Sequence, residues 1–172
     1  MIPLLLFLLS LVPSAHADDV VPYHDFISLH ARRYGFAPEL IESQVWAESG
    51  FRPEAESPVG ARGLMQIMPG TAKWLKVDPD MLWTPEVNIQ LGVYYDFKIH
   101  SIFKREKEYH RIAFMLAGYN AGPGRVISAQ DKAIRDDVWN DEVGIKLHLP
   151  KETQLYVEKI FKRWIRKIPL HH

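Results

Sequence analysis

Glu48 is the residue whose type and position most invite chemistry. In the stretch "PELIESQVWAES", Pro38 to Ser49, the residues Ile41, Val45 and Glu48 stand at i, i+4 and i+7 and share one helical face, with Leu40 and Gln44 beside them. Glu48 thus prolongs an apolar stripe into the last helical turn. Partial burial disfavours a carboxylate there, and so does the negative end of the helix dipole. Both effects push its pKa upward, which suits a general acid working near neutral pH. The alternative on pattern alone is a glutamate that frays outward at the helix end. Glu39 and Glu42 fall on other faces and are expected to be ordinary solvated residues.

The following stretch, "GFRPEAESPVGARGLMQIMPGTA", is rich in groups that bind or bend. Ser49 and Ser57 can hydrogen-bond a carboxylate or a sugar. Gly60, Gly63 and Gly70 permit close backbone approach or positive φ. Gln66 offers both a donor and an acceptor. Taken singly, the glycines read as turns, and Met65 and Met68 as core fillers. A second cluster is "AGYNAGPGRV", Ala117 to Val126. Tyr119 could stack on a sugar ring or orient an acid, and Asn120 could bond an acetamide. The competing reading is a helix end before a Gly-Pro-Gly turn, with Asn120 or Gly122 left-handed.

The elements that must position these residues are helical. Val21 to Tyr34 has helical spacing of Phe26, Ile27, Leu29 and Tyr34, with Gly35 as the stop. Pro38 opens the helix that carries Glu48. Further helices are expected from Pro69 or Thr71 to Leu75, from near Thr84 (the N-cap, with Pro85 next), across "YHRIAFMLAGYNAG", and from near Pro150 to before Pro169. Alternating patterns are scarce, so the fold is expected to be mainly α, with at most a small β-hairpin or bent loop within Phe51 to Gln66.

The 172 residues suffice for one domain with a real core, and 47% hydrophobic against 24% charged composition is that of a globular chain. Zero formal net charge argues against a strongly electrostatic nucleic-acid binder. The opening "MIPLLLFLLSLVPSAHA" has the form of a secretory leader ending in an A-x-A site, though without Lys or Arg at its start. Its apolar run is short for a bilayer span. Cleavage after Ala17 is expected, leaving a soluble exported chain from Asp18. There is no cysteine for a disulfide or a lipid anchor. Eight histidines raise the question of a metal, yet no H-E-x-x-H occurs and His100 and His110 lack ligand spacing. No metal or other cofactor is expected. His171 and His172 could be weak metal binders. The last helix carries Lys159, Lys162, Arg163, Arg166 and Lys167 beside an apolar face. It is either a core helix with a solvated basic side or a contact for anionic wall polymers or a membrane surface.

Together these blocks resemble the soluble lytic transglycosylase catalytic domain, a lysozyme-like family that cuts peptidoglycan. The resemblance rests on Glu48-Ser49 with "SGF", on Ser57 with "GARGLMQIMPGTA", on "GYNAGPGRV", on "LPKETQLYVEKI", and more weakly on "PEVNIQLGVYY". It spans about Tyr23 to Trp164. Gly118 departs slightly, standing where the family usually has Ala. The resemblance implies that Glu48 is the single catalytic acid/base and that Ser57 orients it. It implies that Gln66 and the Met65 backbone meet the sugars beside the cleaved bond. Tyr119 would lie near the acid, Asn120 would shape the cleft, and Glu152 and Tyr156 would close the site. The implied partner is the glycan strand of peptidoglycan, in the periplasm, with cell-envelope machinery as a further possibility. A hydrolytic muramidase needs a second carboxylate or a positioned water; Glu54 and Glu56 are near in sequence but outside the family pattern. A non-catalytic wall-binding module is the remaining alternative.

Overall fold

The computed structural model describes residues 22–135 and 148–168. The expected leader and cleavage site, and the His171-His172 pair, lie outside the described residues. The helices are α1 (His24–Arg33), α2 (Pro38–Ser49), α3 (Pro69–Trp74), α4 (Pro85–Ile102), α5 (Glu108–Ala121), α6 (Pro123–Arg135) and α7 (Lys151–Lys167), with a 3₁₀ turn at Pro79–Trp83. Pro38, Pro69 and Pro85 each stand in the first helical turn, where a missing N–H costs nothing. Thr84 occupies the N-cap position of α4 without making a side-chain capping bond.

Among the described residues there is no strand. The expected hairpin is a looped lobe held by two isolated bridges, Glu56 with Arg62 and Arg62 with Ile67. The Gly-Pro-Gly turn is also tighter than its composition suggests. Gly122 takes positive φ at the end of α5, and Pro123 starts α6 at once. Asn120 stays helical. The buried face of α6, with Val126, Ala129 and Ala133, escapes the sequence reading because its first turn reads as a loop signal.

α2 packs against α1 and α7, while α4 packs against α1 and α5, and α5 against α6 and α7. Leu40, Ile41, Glu42, Ser43, Gln44, Val45 and Ser49 are all buried, so α2 is enclosed nearly all round rather than along one stripe. This corrects the expectation for Glu42. It is 5% exposed, ion-paired to Lys167, with Arg163 3.8 Å away. The reason is that α7 covers the face that periodicity assigns to solvent.

The basic side of α7 is correspondingly occupied. Lys159 donates to the Ala47 carbonyl and lies 4.6 Å from the centre of the Trp46 ring, which Arg163 also approaches at 4.6 Å. Lys162 pairs with Glu158, and Arg166 donates to the Lys162 carbonyl. Lys159, Arg163 and Lys167 thus clamp α7 onto α2, while Lys162 and Arg166 are engaged within α7 itself.

Candidate active site

The loop after α2 is shaped by backbone groups that find side-chain partners at a distance. Asn88, fully buried in α4, accepts from Met65 N–H at 2.8 Å and donates to the Arg62 and Leu82 carbonyls at 2.9 and 2.8 Å. Gln66, itself at φ 47°, donates to the Ala55 and Gly63 carbonyls. Gly63 has φ 75°, and a Cβ there would lie 2.3 Å from Asn88 Nδ2 and 2.5 Å from the Leu82 carbonyl. The loop therefore requires both glycine's conformation and its lack of bulk.

Several residues singled out in the sequence hold this loop. Ser49 donates to the Leu64 carbonyl at 2.8 Å. Ser57 accepts from Ala61 N–H at 2.9 Å and closes its own turn. Met65 is fully buried, and its carbonyl accepts from Tyr119 Oη at 2.8 Å. Tyr119 thus fixes the backbone beside the acid instead of donating to the acid, and it packs on Tyr95 with ring centres 5.4 Å apart. Asn120 accepts from the buried Thr153 hydroxyl at 2.8 Å, tying the end of α5 to the first turn of α7. Glu152 is exposed in that same first turn, where the helix dipole favours a carboxylate. Gly118 also has a local reason: a Cβ there would meet Ile99 Cγ2 at 2.8 Å.

Glu48 stands where α2, the loop and α7 converge. Its Oε1 accepts from Tyr156 Oη at 2.5 Å. Burial raises its pKa to about 7, against the opposing pull of the Tyr156 bond and the Lys159 charge. Burial, together with the Glu48 charge, holds both Tyr119 and Tyr156 well above the ordinary phenol range, so both remain neutral donors. Near neutral pH this site holds a carboxyl group that can give a proton and take it back. Glu54 and Glu56 are exposed, and Glu56 faces Arg62 at 3.5 Å. Among the described residues no group of His, Cys, Asp and Glu is arranged to hold a metal ion.

Two members of the site escape the sequence reading. Asn88 is a poor helix former in the first turns of α4, and although it lies in the weakly matching block PEVNIQLGVYY its side-chain type alone does not reveal its role. Asp96, fully buried in α4, touches Gln44 and carries no local motif at all.

Residues 25–141 match the family model described as the transglycosylase SLT domain. The chain belongs to the transglycosylase SLT domain family. The SLT match ends before α7, so Tyr156 reaches Glu48 from outside the matched stretch. The soluble lytic murein transglycosylase of Escherichia coli K12 is 40% identical over 125 residues, which cover 64% of this chain and 18% of that protein. The chain thus corresponds to less than a fifth of that curated relative's length. The crystal structure of the 70 kDa soluble lytic transglycosylase from Escherichia coli superposes with a TM-score of 0.70 at 30% identity, covering 84% of this chain and 24% of that one. An inactive glutamate-to-glutamine mutant of the lytic transglycosylase Slt from Pseudomonas aeruginosa gives 0.66 at 29% identity, covering 85% and 24%. The SLT fold is mainly helical, as the residue pattern predicts.

Proposed function

We propose that this chain is a peptidoglycan lytic transglycosylase in which Glu48 is the single acid/base. The observation that carries the reading is Glu48 itself: a carboxyl group in the last turn of α2, raised to about 7 and oriented by a neutral phenol. The SLT family match and the lytic murein transglycosylase relatives point to the same chemistry.

In the proposed reaction Glu48 protonates the oxygen between N-acetylmuramic acid and N-acetylglucosamine. The muramoyl 2-acetamido group stabilises the developing oxocarbenium charge. Glu48, now a carboxylate, accepts the proton of the C6 hydroxyl of the same sugar as that oxygen attacks C1. The product is a 1,6-anhydromuramoyl end, and no water is consumed. An intramolecular nucleophile has a high effective concentration, so one carboxylate suffices where hydrolysis ordinarily uses two. The Tyr156 bond favours the carboxylate formed after the first half, and burial favours the acid that begins it. The loop pinned by Asn88, Gln66 and Tyr119 supplies a fixed wall for the sugars.

A periplasmic location is part of this reading, supported by the leader-like opening of the sequence; no helix among the described residues is long and apolar enough to cross a membrane. Mass spectrometry of soluble products from purified peptidoglycan tests the reading, with residues 18–172 beside the same chain bearing Glu48→Gln. Anhydromuramoyl ends made only by the unmodified chain support it. Reducing muramic ends would make the chain a hydrolase. Wall binding without product from either would make it a binding module.

A further inference from the structure

Asp96 has no exposed surface and sits on α4 facing Gln44, one turn before Glu48 on α2. Gln44 Nε2 donates to Asp96 Oδ1 at 3.2 Å. The other two oxygens of this pair, Asp96 Oδ2 and Gln44 Oε1, are both buried without a hydrogen-bond partner. An ionised carboxylate presents two acceptors, whereas a carboxamide presents one donor and one acceptor. Facing each other they leave two oxygens unmatched, whichever way the amide is turned. One proton on Asp96 removes the conflict, because Oδ2–H then donates to Gln44 Oε1.

The surroundings favour the same proton. The titratable groups that act on Asp96 or feel its charge are Glu48 from α2, Tyr119 from α5, Tyr156 from α7 and its neighbour Tyr95 on α4. All four are acids, and none supplies positive charge. Burial and the Glu48 charge hold the Asp96 carboxyl well above the usual carboxylate range. An isolated charge in such a place is unfavourable unless it is fully paired.

We propose that Asp96 is a positioning residue held as a neutral carboxylic acid, doubly hydrogen-bonded to Gln44, and that this pair keeps a second negative charge out from beneath Glu48. The proposal rests on the reading of Glu48 as acid/base. It gives α2 a neutral anchor one turn before the reacting carboxyl. It also allows Glu48 to become an anion in mid-reaction, because two neighbouring carboxylates would not both ionise. Asp96 touches neither substrate nor reacting atoms, and its enclosure bars it from acting as the second carboxylate of a hydrolase.

The test uses the full chain and carboxyl ¹³C NMR of labelled aspartate. The Asp96 carbon should keep its protonated shift at pH 7; titration near pH 4, like an ordinary aspartate, overturns the proposal. Asp96→Asn places an N–H where the acid proton stands. It should keep the basic limb of the kcat/KM profile in place, whereas a limb that falls by about one pH unit would show that Asp96 had been charged. Asp96→Ala should lower kcat by about tenfold, recovered by asparagine, for the loss of one bonded pair; an alanine variant as fast as the asparagine one removes the positioning role. Folded Asp96 binds a proton that the unfolded chain releases above about pH 4, so wild-type stability falls with rising pH. The melting temperature of Asp96→Asn should therefore climb relative to wild type from pH 4 to pH 8, and a constant difference overturns the proposal. The NMR and melting readouts need no turnover, so they fail separately from the assignment of Glu48.

Discussion

The α2–α7 interface holds two carboxyl groups six residues apart, and treats them in opposite ways. Glu42 meets the cations Lys167 and Arg163. Glu48 meets the hydroxyl of Tyr156, with Lys159 acting on it through charge alone. The first arrangement neutralises a carboxylate and binds two helices together. The second leaves the carboxyl near its own midpoint at about 7 while still fixing its direction. The same two helices thus make a structural clamp at one end and an exchangeable proton at the other. The direct partners differ in kind: Glu42 is held by formal charges, Glu48 by the dipole of a neutral hydroxyl.

The largest expected effect is on turnover. Glu48→Gln should lower kcat by about a thousandfold or more, within the span of general acid–base contributions, while circular dichroism shows an intact fold. Glu42→Gln, assayed where it is folded, should retain most of its activity; equal inactivity of the two would erase the contrast. Its cost lies in stability instead. Removing one partner of a fully buried pair costs about 3–5 kcal/mol. The side chains of Lys167 and Arg163 are 28% and 29% exposed. They can rehydrate, so about 1–2 kcal/mol is expected in denaturant titrations.

Tyr156→Phe sharpens the comparison. The lost bond should lower kcat by about tenfold. Because that bond favours the ionised form, its removal raises the Glu48 pKa. The basic limb of kcat/KM, which follows loss of the Glu48 proton and is expected near pH 7, should move upward. A downward move would mean that the phenol supports the acid form. Lys159→Gln should move the same limb upward more slightly, and added salt should shrink that difference, since Lys159 is exposed.

Much of this was legible in the residues. The bounds of α2, the proline starts and the place of Glu48 follow from periodicity and from backbone rules that act locally. Tyr156 was assigned to closing the site by resemblance, and it lies on Glu48. What stayed hidden depends on contacts between distant segments. Glu42 looks solvated because helical period says which residues share a face, and not which faces another helix will cover. Ser57 looks like a hydrogen-bonding partner for the acid, yet the bond it accepts closes its own turn. Asp96 and Asn88 act across 52 and 23 positions, on Gln44 and Met65, and no local spacing encodes such pairings.

The role of Asn88 bears on how portable the cleft is. One carboxamide in α4 ties Met65, Arg62 and Leu82 together. A designer who transplants residues 55–67 into another helical scaffold would carry the letters of the loop without the residue that gives it shape. The transferable unit is the loop plus an amide presented from a neighbouring helix at the same height. Shuffling experiments should therefore find a seam between 67 and 88 harmful.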